Sequence, residues 1–236
     1  MTVSSATDRP QIRLAGQAAA ATGPLNMDAM YLMHHAFRRD FARLTAASRN
    51  VPLTDSRRLA GLRGHLEYVL HSLHQHHSGE DEVIWPELRR RAPREHAVID
   101  AMEAEHGGLD AAITAARDTF GALVAAPTEA ARSVAADAVE AVGAAVDAHM
   151  AHEELDAIPL MHRVFTPAEF DALEARLRDA HSSFRALATL VPWMADDVPD
   201  DVLRRAWADQ PTILWFLYRR VWRPRYQRRV KTLFTA

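Results

Sequence analysis

Between Asn26 and Phe165, four long segments repeat apolar residues at helical spacing, and each carries one histidine on its apolar face. A 3.6-residue period commits such segments to amphipathic helices, and four of them with short connections predict an all-α, up-down four-helix bundle. The first begins after Pro24 and sets Met27, Met30, His34, Phe37 and Phe41 on one face, with His35 about 100° away. The second opens on the Thr54-Asp55-Ser56 capping signal and runs to about Arg91. Its inner face reads Leu62, Leu66, Val69, Leu73, His76, Glu80 and Val83, and Pro86 predicts a kink near the end or an early stop. The third, roughly 94–124, keeps Ile99, Met102, His106, Leu109, Ile113 and Phe120 in phase, before a break at Pro127-Thr128. The fourth, roughly 129–160, turns Val139, Val142, Val146, His149 and Glu153 inward.

Two of these histidines pair with a carboxylate one turn later, His76 with Glu80 and His149 with Glu153. Residues i and i+4 stack on one helix face, so each pair presents an imidazole and a carboxylate to one point. Six of the 13 histidines have Asp or Glu four residues downstream, where chance placement of 31 acids gives only about two. A lone inward histidine is more often a hydrogen-bonded core residue than a ligand. Four of them with two carboxylates are costly to bury unless a cation compensates them. The chain has no cysteine, which excludes disulfides, thiolate zinc sites and iron–sulfur clusters, so any metal is held by His, Asp and Glu.

Helical phase sorts the other histidines. His71 and His74 point away from the His76 face, toward solvent. His77, paired with Asp81, falls on the flank, as an outer partner or a surface residue. His65 is in phase with His76 but eleven residues earlier, about 16 Å along the axis. His152 and Asp156 flank the His149/Glu153 pair and can orient it through hydrogen bonds. Other metal architectures fit less well. The repeated Glu-x-x-His of ferritin-like di-iron proteins occurs once near the site, at Glu103 and His106. The zinc-protease HExxH pattern fails because Asp156 stands where its second histidine belongs.

Taken in order, His34 in MHHAFRRDF, His76/Glu80 in HHSGEDEVIWPEL, His106 in EAEHGGLD and His149/Glu153 in HMAHEELDAIPL resemble the hemerythrin-like (HHE cation-binding) domain over about 26–165. The resemblance implies a non-heme di-iron centre in the bundle. It makes His34, His76, His106 and His149 terminal ligands, and Glu80 and Glu153 bridging ones. Oxygen-carrying hemerythrins have a second histidine one turn after the third-helix ligand. Here that position offers Asp110, a candidate ligand or outer carboxylate, with Glu103 the weaker alternative.

Three function classes follow. Iron held by imidazole and carboxylate with an unfilled position binds O2, peroxide or nitric oxide, and an apolar lining (Met30, Phe37, Phe41, Leu73, Met102) favours such binding. His77, Asp81, His152 and Asp156 supply protons that suit instead a catalase-like enzyme or an O2-dependent oxidase. The third class is an iron-sensing regulatory module, because assembling ligands couples metal binding to stability. A net charge of −3 gives no nucleic-acid signature. No stretch approaches 18 apolar residues and no signal peptide is evident, so the cytoplasm is the expected location.

Outside the bundle, residues 1–25 read as a flexible arm and 166–236 as an appended helical region, opened by a capping box at Thr166-Pro167-Ala168-Glu169. From Gln210 onward there are six arginines and one lysine, no acids, and six aromatic residues. The aromatics are expected to pack over the bundle while the arginines face water or pair with its acids. A basic–aromatic helix touching an anionic membrane surface is the other reading.

Overall fold

The computed structural model describes residues 8–179 and 184–235, which are mostly helical and contain no strand. The first helix, α1 (Asp28–Asn50), buries Tyr31, His34, Phe37, Phe41 and Leu44 along one stripe and ends at Val51, whose extended backbone is fixed by Pro52. The second, α2 (Ser56–Gly79), starts where the Asp55 side chain accepts from Arg58 N–H at 3.0 Å. It runs through a π-turn, Glu80–Ile84, into α3 (Trp85–Arg91). Next come α4 (His96–Ala125) and α5 (Glu129–His152), the latter capped by Thr128, and a second π-turn, Glu153–Ala157, leads into α6 (Ile158–Val164). Each of α1, α2, α4 and α5 packs on two of the others, in the cyclic order α1, α2, α4, α5.

Pro86 neither stops its helix nor leaves a simple kink. An α-helical Pro86 has no N–H to give the Glu82 carbonyl and drives its ring into it. The π-turn removes the conflict by adding a residue beforehand: Trp85 N–H donates to the Glu80 carbonyl, five residues back. Ile158 does the same to Glu153 ahead of Pro159, and Arg223 to Tyr218 ahead of Pro224. Two of these three turns therefore begin at the glutamates singled out by the sequence.

The apolar core falls into two clusters. One holds Phe37, Phe41, Leu62, Leu73, Leu109, Phe120, Val142 and Val146, and the other Tyr31, Ile84, Trp85, Ile99, Met102, Ala157 and Ile158. On every long helix the inward histidine lies where the chain passes from one cluster to the other, so a polar layer separates two dry ones.

Further helices among the described residues are α7 (Pro167–Asp179), α8 (Phe184–Met194), α9 (Asp200–Ala206), α10 (Thr212–Leu217) and α11 (Arg223–Phe234), with the third π-turn, Tyr218–Trp222, joining the last two. The capping box forms as read: Thr166 N–H donates to Glu169 Oε2 at 2.9 Å, and Glu169 N–H returns to Thr166 Oγ1. Helix α8 packs on α1, and α11 packs on α1, α2 and α8. Among the described residues, no helix is long and apolar enough to cross a membrane.

Residues 8–25 are not the loose arm that their composition suggests; residues 1–7 lie outside the described range. Ile12, Ala20 and Leu25 are buried, Arg9 N–H bonds to the Gly23 carbonyl, and Ile12 N–H donates to Asp28 Oδ1 at 3.1 Å. Small residues let this backbone lie close. A Cβ on Gly23 would sit 2.4 Å from the His162 ring. Attachment by backbone hydrogen bonds and close approach leaves no mark on a hydropathy pattern.

Candidate metal centre

Four helices deliver six buried donors and a seventh nearly buried one into the polar layer: His34 from α1, His76 and His77 from α2, Glu80 and Glu153 from the starts of the first two π-turns, His106 from α4 and His149 from α5. Their donor atoms form two groups, His34/His76/Glu153 and His77/Glu80/His106/His149, each within a span of 4.8 Å. Glu80 reaches both groups. One carboxylate oxygen lies 3.2 Å from His76 Nε2, and the other lies 3.5 Å from His106 Nε2.

The hydrogen bonds around the rim fix which way the imidazole lone pairs point. His106 Nδ1 lies 2.8 Å from Asp81, His149 Nδ1 2.8 Å from Glu105, and His34 Nδ1 2.9 Å from Glu154. An ionised carboxylate only accepts, so each Nδ1 carries a proton, and the Nε2 atoms of His106 and His149 turn a lone pair inward. His106 Nε2 and His149 Nε2 then face each other at 3.1 Å, lone pair to lone pair. His34 Nε2 comes within 3.0 Å of Glu153 Oε2 but out of hydrogen-bond geometry. In all, the Nε2 atoms of His34, His76 and His77 and all four oxygens of Glu80 and Glu153 are buried without a hydrogen-bond partner. Such convergence of bare acceptors is repulsive unless cations sit among them, and an outward carboxylate on each ring is how metal-binding histidines are ordinarily held. The donor set, imidazole and carboxylate without sulfur, fits a first-row divalent ion such as iron.

Electrostatics agree. Burial pushes Glu80 well above the usual carboxylate range, and the charges of Glu153 and Asp81 push it further. Burial opposes ionisation of Glu153 as well, but positive charge on His34 and its proximity hold this carboxyl down, at about 2. The two glutamates are therefore driven apart, as happens when one site must hold two negative charges with too little positive charge nearby. Burial, then the charge of His34, lowers His76 to about 3, and burial likewise lowers His77 and His149. Burial opposes a charge on His34 too, but Glu153 and Glu154 outweigh it and raise this ring, so that without a cation it is the one that tends to hold a second proton. His76, His77 and His149 are kept in the neutral form that a metal takes.

Among the residues expected at the site, His34, His76, Glu80, His106, His149 and Glu153 are brought together. Asp110 is not: it is exposed on α4 and belongs to neither group. Glu103 is exposed too, paired with Arg89 at 2.9 Å. His77 replaces Asp110, its ring stacked on His106 at 4.0 Å and 12°. The 100° between His76 and His77, which reads as a reason to exclude one of them, instead aims one at His34 and the other at His106. Sequence reading also missed Glu105 and Glu154. Glu154 joins His34 to Arg38 at 2.6 Å and to Ala18 N–H at 2.7 Å, so the N-terminal segment helps to orient the His34 ring. His152 and Asp156 do extend outward from the His149 pair as expected, through Glu105. His71 and His74 are exposed as read.

A family model described as the hemerythrin HHE cation-binding domain matches residues 26–161, more than half of the chain. No curated protein and no solved structure matches the chain.

Proposed function

Since this chain belongs to the hemerythrin HHE cation-binding family, we propose that it holds two non-heme iron ions in the polar layer of an up-down four-helix bundle and uses them to bind O2, peroxide or nitric oxide. The role that fits is a response to oxygen, oxidative stress or iron supply. The observation that carries the reading is the set of buried, partnerless donor atoms of Glu80, Glu153, His34, His76 and His77, which two cations would satisfy together. His34, His76 and Glu153 would hold one ion and His77, His106 and His149 the other, with Glu80 reaching both. Iron so held supplies an open position and redox chemistry for a small ligand. The protein's part is enclosure and orientation. Asp81, Glu105 and Glu154 fix the rings, and Phe37, packed 5.7 Å from the His76 ring, keeps the layer dry on one side. Donors this buried suit a diatomic or peroxide-sized ligand better than an organic substrate.

A second reading, a catalase-like enzyme or oxidase, draws on one feature. His149, Glu105 and His152 form a hydrogen-bonded chain with steps of 2.8 and 2.7 Å from the centre outward, and His152 Nε2 lies 3.1 Å from the exposed Asp156 carboxylate as an ion-pair contact. Such a chain can carry protons to a buried site. A single-turnover experiment separates the two. Ferrous-loaded protein is mixed with O2, peroxide or nitric oxide and followed by its charge-transfer absorption. A reversible adduct supports binding, and repeated peroxide loss supports the enzyme. If neither forms and iron only raises the melting temperature, the iron-sensing module is favoured.

A further inference from the structure

The C-terminal helices divide the basic–aromatic tail into two unlike faces. Across α10, the third π-turn and α11, Tyr218, Trp222, Tyr226, Val230 and Leu233 are buried as one stripe, spaced at every third or fourth residue. Of the six aromatic residues expected to pack, Tyr218, Trp222 and Tyr226 are buried, whereas Phe216 is left largely exposed. The face opposite the stripe is not buried. No residue of α10 is buried, and Ile213 and Phe216 are 60% and 55% exposed. Arg220 continues their face, and Arg228 occupies it further on, diametrically opposite the stripe between Tyr226 and Val230. Arg225, Arg229 and Lys231 stand exposed on its flanks. The adjacent acid, Asp200, is already neutralised by Arg223 at 2.9 Å and Arg219 at 3.4 Å. Arg220, Arg225, Arg228, Arg229 and Lys231 enter no ion pair among the described residues.

We propose that this outward face is a peripheral docking surface for an anionic lipid bilayer, with Ile213 and Phe216 entering the headgroup–acyl boundary and Arg220, Arg225 and Arg228 lying against lipid phosphates. Clusters of four to eight cations on an amphipathic helix are what an anionic leaflet attracts, and protruding apolar side chains beside them add the insertion that charge alone lacks. The packed aromatic stripe presents this face ready-made, so no folding accompanies contact. A second copy of the chain is a poorer occupant: two exposed side chains fall far short of the ~800 Å² per partner of a specific interface, and like charges repel. A nucleic acid would use the cations but has no use for exposed isoleucine and phenylalanine.

The test is co-sedimentation of the full, iron-loaded chain with vesicles of phosphatidylcholine alone or mixed with phosphatidylglycerol, at low and high salt. Binding to the mixed vesicles only, weakened by salt, is expected. R220E/R225E/R228E should weaken it by about 100-fold or more, at about fivefold per cation and further for reversed charge. I213S/F216S should weaken it by about tenfold. Melting curves check that the variants fold; should the triple variant melt early, R228E alone is expected to lose about fivefold. Equal binding to neutral vesicles, no binding to the mixed ones, or binding unchanged by the arginine variants overturns the proposal. Two other results overturn it too: a concentration-dependent dimer that F216S dissolves, without vesicle binding, points to a second copy. Duplex DNA binding as tight as vesicle binding and indifferent to I213S/F216S points to nucleic acid.

Discussion

Asp40 on α1 and Glu80 at the end of α2 are both buried carboxylates that lie beside a histidine, yet their surroundings are opposite. Asp40 Oδ1 accepts from Arg39 Nε at 2.8 Å, and Oδ2 accepts from His65 Nε2 and Trp193 Nε1, both at 2.7 Å. Neither oxygen of Glu80 has a hydrogen-bond donor. Their acidities diverge accordingly. Burial favours the neutral form of Asp40, but the His65 hydrogen bond and the Arg39 charge outweigh it and hold the carboxyl far below its ordinary range, whereas Glu80 is driven well above it. Burying an acid beside a histidine therefore does not mark a metal site. A missing set of donors does. The Asp40 network ties α8 to α1 and α2 and is structural, while Glu80 makes sense only with a cation beside it.

Substitution should break this symmetry most visibly. Asp40→Ala strands three buried donors and should destabilise the protein by about 3–5 kcal/mol in urea unfolding, with iron content unchanged. Glu80→Leu, of similar volume, should instead leave the chelator-treated protein as stable as before or up to about 3 kcal/mol more stable, because it removes an unsatisfied buried acid. The same change should lower the iron content to about one ion per chain or fewer. If both substitutions destabilise the apo-protein alike, the contrast between the two carboxylates is wrong.

Glu105→Gln probes the rim. Loss of the carboxylate behind His149 should loosen iron by about 10–100-fold in competition with a chelator, with little change in apo-protein melting. Asp40 also makes a pH prediction. Its folded-state acidity lies below the unfolded value of about 3.9, so its contribution is complete above that pH and is lost as pH falls toward the folded value. The stability gap between the parent protein and Asp40→Asn should therefore be flat from pH 5 to 7 and shrink below about pH 4. The smallest effect is expected beside His106. A Cβ on Gly107 meets nothing within 4 Å, so Gly107→Ala should stabilise α4 by about 0.5–1 kcal/mol. Gly143→Ala, whose Cβ would lie 2.9 Å from Phe41, should destabilise instead.

Helical periodicity made the four long helices and their inward histidines readable, because the 3.6-residue phase is written directly into the apolar pattern. Phase also misled. It removed His77 as a flank residue, although adjacent histidines 100° apart suit two ions with different neighbours. It kept Asp110, one turn from His106, which the structure leaves in solvent. Glu105 and Glu154 have no local signature, since each acts through a histidine 44 and 120 residues away in sequence. The π-turns leave no mark in the sequence beyond Pro86, Pro159 and Pro224, and a proline does not announce whether a helix will stop or absorb an extra residue before it. Residues 8–25 look loose because their anchors are backbone hydrogen bonds.

The decisive experiment is to count metal on protein reconstituted anaerobically with ferrous iron and then desalted. About two irons per chain are expected in the parent protein and about one or fewer in Glu80→Leu, whose carboxylate reaches both groups of donors. A single ion per chain, zinc retained in preference to iron, or two irons undiminished in Glu80→Leu would contradict the two-iron reading.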